Sequence, residues 1–275
     1  MANHSRYKNV VLQHRDQSLI RILTEDFRIL TTEQIAKLFS MGSNARLSFR
    51  LKQLCDAGYL SARALARFGS ASKYGYFVGP RAKELFQNPT DQRIVASIHN
   101  EVPQFADSTL AHRILVDSVH IRFLTAARDY PEYKLLTWVD QYSPSWEELN
   151  NYGVPGQADG YGEYLMLMHF DSLFTCFVEV DRGTERGRTI QEKIERYIHY
   201  ADSGDYEQKF AARQFRVLFV TTNTRRVQGL ATLIGAQRSN LFWLTTWEQM
   251  QSAKLFDAYW IRPGQDGLHS LISHL

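Results

Sequence analysis

The stretch from Ser43 to Gly58 does most to limit the folds open to this chain. Leu47, Leu51 and Leu54 recur at helical spacing and make an apolar stripe. Asn44, Arg46, Arg50, Lys52 and Gln53 fill the other positions. Arg and Lys bond phosphates or guanine edges, and Asn and Gln read adenine. Ser43 or Asn44 can cap the start of this helix, which runs to Ala57, and Gly58 is placed to end it in a left-handed conformation. A short helix with one apolar side and one basic side needs a core on one side and suits a polyanion on the other.

The flanking residues supply that core. Leu19, Ile20, Ile22, Leu23 and Phe27 predict an amphipathic helix over Gln17–Ile29. Thr31 and Gln34 match a capping box, in which hydroxyl and amide each satisfy an orphan backbone N–H. A short helix follows with Ile35, Leu38 and Phe39 inward, and Met41-Gly42-Ser43 makes a turn. Beyond Gly58, Tyr59–Ala66 and Tyr74–Val78 read as strands around a Gly/Ser-rich tip, and Pro80–Phe86 as a short closing helix. Helix, short helix, tight turn, basic helix and hairpin is the order of a winged helix-turn-helix. Arg67 and Lys73 flank the wing tip. Residues 1–90 are therefore expected to bind double-stranded DNA, through Asn44, Arg46, Arg50, Lys52, Arg67 and Lys73. A protein-binding winged helix with a solvated basic hairpin would share the wing pattern.

Charge supports the DNA reading. Residues 1–90 hold 14 Lys and Arg against 6 Asp and Glu, whereas the remainder is acidic by five. At 275 residues the chain suits two domains. Gln87–Ser108 holds two prolines and mixed polarity, so residues 91–107 are expected as a linker, and 108–275 as the second domain. No apolar run is long enough to span a bilayer, so no membrane contact is expected. The start, Met1–Arg15, is polar, and Cys55 and Cys176 fall in apolar patterns, which suits reduced thiols in a cytoplasmic protein.

The second domain is predicted as helix (Ser108–Asp129), three strands (Tyr133–Val139, Tyr164–Phe170, Leu173–Val180), helix (Arg186–Tyr200) and strand (Phe215–Thr221). Arg225–Ala236 is expected as a helix, Leu241–Leu244 as a strand and Thr246–Ala253 as a last helix. This is a mixed α/β layer fold. No glycine-rich phosphate loop follows a strand, no Ser or Cys nucleophile has a recognisable partner set, and the nine histidines lack metal-ligand spacing.

One constellation remains. Asp159 stands before one strand, and Glu179 and Asp181 end the next. Residues i and i+2 of a strand share a face, so those two carboxylates can converge. Depending on register, the hairpin brings Asp159 near both or neither. Carboxylates gathered at strand ends can hold Mg²⁺ or Mn²⁺, which would activate a nucleophile against a phosphoryl group. Lys193 lies at the edge of the Ile190, Ile194, Tyr197 and Ile198 stripe, where it can reach the sheet and stabilise phosphate charge. Arg182, Arg186 and Arg188 add positive charge near that strand end. Such carboxylates also serve as turn and capping residues. Tyr197 and Tyr200 read as buried aromatic packing.

The run Val178-Glu179-Val180-Asp181-Arg182-Gly183-Thr184-Glu185, with Lys193-Ile194 and Arg196-Tyr197 behind it, resembles the replication-relaxation family of plasmid, phage and integrative-element proteins. Leu30–Ala36, Leu54–Leu60, His112 with Val116-Asp117-Ser118-Val119, and Val217–Thr221 extend the resemblance. It implies a winged helix followed by a restriction-endonuclease-like, PD-(D/E)XK, domain similar to mobilisation relaxases of the MOB-C type. Asp159, Glu179 and Lys193 would then be catalytic with Asp181, the three acids holding the metal, and His112, Asp117 and Glu185 would be accessory. Two departures stand out: the usual Pro-Asp reads Ala158-Asp159, and Glu179-Val180-Asp181 carries no strand lysine. The sequence thus supports a metal-dependent site-specific nickase. The alternative is a non-catalytic DNA-binding transcriptional regulator or replication accessory factor, whose second domain would serve homodimerisation or contacts with other mobilisation or replication proteins.

Overall fold

The computed structural model describes residues 7–42, 45–65, 74–141, 143, 158–166, 173–184, 187–210 and 214–273. The chain divides into two compact units, Met1–Ile121 and Arg122–Leu275.

In the first unit α1 (His14–Glu25) and α2 (Thr32–Leu38) flank the short strand β1 (Leu30–Thr31). The capping box forms as expected: the Gln34 N–H donates to Thr31 Oγ1 at 3.2 Å and the Thr31 N–H to Gln34 Oε1 at 2.8 Å. The amide nitrogen of Gln34 donates onward to the Ile114 carbonyl, at 2.8 Å. After α3 (Ala45–Asp56), Gly58 takes φ +79° and turns the chain into β2 (Leu60–Ala64), as anticipated. β2 pairs with β3 (Tyr74–Val78), and β3 pairs on its other side with β1, all antiparallel. The Arg67–Lys73 tip lies outside the described residues, as do Ser43 and Asn44.

The closing segment is a 3₁₀ turn, Ala82–Leu85. The stretch expected as a linker holds most of a regular helix, α4 (Pro89–Glu101). Pro89 occupies its first turn, where a missing N–H costs nothing, and the Asn88 side chain accepts from the Thr90 N–H at 2.9 Å. Val95 and Ile98 then join Ile20, Leu23, Leu54 and Val78 in one core. α5 (Asp107–Thr125) follows.

The second unit carries a five-stranded sheet in the order β4 (Tyr133–Val139), β5 (Gly160–Met166), β6 (Leu173–Asp181), β7 (Arg216–Thr221), β8 (Phe242–Thr246). β4, β5 and β6 pair antiparallel; β6, β7 and β8 pair parallel. Parallel strands need crossovers: α6 (Gly187–Ser203) and α7 (Asp205–Lys209) lie between β6 and β7, and α8 (Thr224–Ile234) between β7 and β8. α9 (Trp247–Ser252) follows β8. The fold class is thus mixed α/β, with the expected order of helix, three strands, helix, strand.

β5 starts at Gly160 rather than Tyr164. Glycine is weak strand material, which hides the start in the sequence, yet here it makes room: a Cβ on Gly160 would meet the Trp138 indole at 2.5 Å. β6 is central, and eight of its nine residues are buried. Its odd-numbered side chains meet the helical layer, where Phe177, Ile190, Ile194, Tyr197, Phe219 and Leu230 share a core. Among the described residues, no helix is long and apolar enough to cross a membrane.

Candidate functional site

Two places gather the residues singled out from the sequence, one in each unit.

The first is the outer side of α3. Leu47, Leu51 and Leu54 are buried, as the apolar stripe requires. The three basic residues part company. Arg50 turns inward: its Nη2 lies 2.5 Å from Asp16 Oδ2, its Nε 3.2 Å from Oδ1, and Nη2 also donates to the Val11 carbonyl. Asp16, only 5% exposed, accepts from the Gln13 N–H as well, so Arg50 completes the start of α1. Lys52 pairs one turn along with Asp56 at 2.9 Å, which also meets Lys8. Arg46 is exposed and makes no ion pair among the described residues. Beside it Phe49 is 63% exposed. Both line an open groove with Arg15, Phe39 and Met41.

The second place is the helical face of the large sheet, around Glu179. Asp159 continues the pairing of β5 with β6: its N–H donates to the Val178 carbonyl at 2.9 Å, and its Oδ2 accepts from the Val180 N–H at 2.7 Å. The register therefore sets Asp159 beside Glu179. Lys193 reaches across from α6 and donates to Glu179 Oε2 at 2.7 Å, while the Tyr197 hydroxyl donates to Oε1 at 2.6 Å. Lys193 and Tyr197 are four residues apart, so one helical face presents both. Burial pushes the Glu179 carboxyl up from 4.5 to about 7; Lys193 opposes that rise and the charge of Asp159 adds to it. The Tyr197 phenol is raised well above its ordinary value, first by burial and then by Glu179.

Asp181 shares that face, as i and i+2 spacing anticipates, but has separate partners. Its Oδ1 accepts from the Gly183 N–H at 2.8 Å and its Oδ2 from Arg226 Nε at 2.5 Å. Arg226 sits in the first turn of α8, brought there by the parallel crossover. Arg188 is exposed and pairs with Glu192. Glu185 and Arg186 lie outside the described residues. On α5, Asp117 is fully buried and ion-paired with Arg113 at 2.5 Å, and His112 is half-buried.

In this arrangement the carboxylates are served by protein donors, so a divalent cation would have to displace Lys193 or Arg226 to bind them. Mg²⁺ and Mn²⁺ require several oxygen ligands with lone pairs to give. Both Glu179 oxygens already accept from Lys193 and Tyr197, and both Asp181 oxygens from Gly183 and Arg226. Among the described residues, no group of three or more His, Cys, Asp or Glu is placed to hold a metal.

Sequence reasoning finds Lys193 from its place at the edge of the helical stripe. It assigns Tyr197 to packing alone, although the i+4 spacing from Lys193 is a usable signal. Arg226 carries no local signal, and the spacing of Asp16 from Gln13 signals only a cap on α1, not the pairing with Arg50.

The fold and this centre define a two-unit protein: a helical unit with a small antiparallel sheet, then a mixed α/β unit with a buried acid–lysine–tyrosine cluster beside a second acid. Residues 22–213 match the replication-relaxation family, and the chain belongs to that family. No curated protein and no solved structure matches the chain.

Proposed function

We propose that this chain binds double-stranded DNA at a specific site and serves the replication or mobilisation of the element that carries it. Its first unit acts as a winged helix-turn-helix and its second as a restriction-endonuclease-like domain. The observation that carries this reading is the outer side of α3, where Arg46 and Phe49 stand exposed on a unit with a strong basic surplus. The order α1, β1, α2, α3, β2, β3 supports it, because it leaves α3 followed directly by a hairpin. A gel-shift assay on DNA flanking the protein's own gene tests it. Arg46→Ala weakens binding to all sequences and reduces the salt slope by about one, because a phosphate contact releases one counterion. Unchanged affinity and unchanged salt slope would remove α3 from the interface.

A second reading, a site-specific nickase, is favoured by the juxtaposition of Asp159, Glu179 and Lys193. Supercoiled plasmid carrying the same flanking DNA, incubated with Mg²⁺ or Mn²⁺, tests that reading. Open circles from wild type and none from Glu179→Ala establish the nickase. Retarded but intact plasmid with both proteins establishes the regulator or accessory factor.

A further inference from the structure

We infer that the base-reading element of α3 is its apolar outer row, Ala45 and Phe49, and that it recognises the C5-methyl groups of thymines in the major groove. The inference rests on the DNA-binding reading above and names what that surface would read.

The placement follows from helical geometry. At ~3.6 residues per turn, Phe49 projects about 180° from the stripe of Leu47, Leu51 and Leu54. Ala45 lies one turn before it on the same line, and both are exposed. A docked helix brings that outermost line deepest into a groove. Three of the polar side chains of α3 suited to reading bases are committed elsewhere, while Arg46 and Ser48 are exposed to either side of that line. Arg50 is held by Asp16 and the Val11 carbonyl, Gln53 accepts from Arg50 Nη1 at 3.1 Å, and Lys52 is held by Asp56. The outermost line is a phenyl ring and a methyl, flanked by Arg46 and Ser48 on the helix and by Arg15 along the groove.

That arrangement fits DNA in its charge as well as its shape. The cations at the rim meet phosphates, while the apolar line meets the one apolar feature of the major-groove edge, the thymine methyl. A phenyl ring 63% exposed keeps apolar surface in water, and packing on a methyl removes part of that surface from it.

The test uses the full-length protein and a random-sequence duplex library. Wild type selects a binding site, and each thymine of that site is then replaced singly by uracil, which lacks only the methyl. At one or two adjacent thymines the replacement weakens wild type about ten-fold. Phe49→Ala binds thymine and uracil duplexes equally at those positions, whereas Arg46→Ala still discriminates between them. Phe49 is exposed, so the variant keeps its fold, and the uracil series on wild type reads the contact without any substitution. Equal binding of thymine and uracil by wild type at every position overturns the inference while leaving DNA binding intact. A wild type that selects no site and shifts no duplex overturns both.

Discussion

Lys193→Met lowers the melting temperature of the protein by about 10 °C at pH 8, and by far less at pH 5. The pH dependence is the informative part. Glu179 is buried, and its carboxyl is raised from 4.5 to about 7 chiefly by that burial. A group whose folded value lies above its unfolded value contributes stability that is fully present below the unfolded value, here 4.5, and is lost as pH rises through about 7. The span corresponds to about 3 kcal/mol. Lys193 limits the loss, because its ammonium compensates the carboxylate once it forms. Removing that ammonium leaves a buried charge uncompensated at pH 8, a cost of about 3 kcal/mol, or about 10 °C for a unit of this size. At pH 5 Glu179 is neutral and loses only one hydrogen-bond partner. Thermal unfolding of both proteins from pH 5 to pH 8 checks this. A deficit that stays constant across the range would mean that Lys193 acts through packing alone.

Arg50→Ala destabilises the first unit by about 2 kcal/mol, although Arg50 belongs to the helix expected to touch DNA. The carboxylate of Asp16 is buried and loses its bidentate partner, which costs more than an exposed ion pair contributes. Urea unfolding reports the loss as a lower midpoint with an unchanged slope. In a double-mutant cycle, Asp16→Asn with Arg50→Ala costs less than the two single changes added together, because the second change removes the charge the first one stranded. Arg46→Ala, by contrast, leaves the midpoint where it was and acts on DNA affinity. An Arg50→Ala midpoint equal to wild type would mean that the ion pair contributes nothing net and that Arg50 is available to DNA.

These two cases show how far a sequence can be read. Local signals with a mechanism translate into structure: the Thr31–Gln34 capping box, the left-handed Gly58, the α3 stripe, and the sheet with Glu179 and Asp181 on one face. Lys193 is legible for the same reason, since helical spacing alone places it at the sheet-facing edge. Elements with conflicting signals are not. α4 is hidden by its flanking prolines, although Asn88-Pro89 is itself a helix start, and the beginning of β5 is hidden by glycines that exist to admit Trp138. Partners distant in sequence are least legible. Arg50 and Asp16 are 34 residues apart, and Asp181 and Arg226 are 45 apart. Periodicity says which face a charge lies on; only the packed fold says what stands opposite.

The change of direction at β6 also shapes how the chain comes into being. Synthesis delivers the β5–β6 hairpin first, and β7 only after the whole of α6 and α7 has emerged. During that interval β6 has one paired side and one row of unsatisfied backbone groups, with side chains on both faces that belong in a core. An apolar strand with an open edge is a template for pairing with another chain. Between the release of Asp181 and the arrival of Thr221 from the ribosome, the nascent protein therefore carries an open apolar edge that the finished sheet covers.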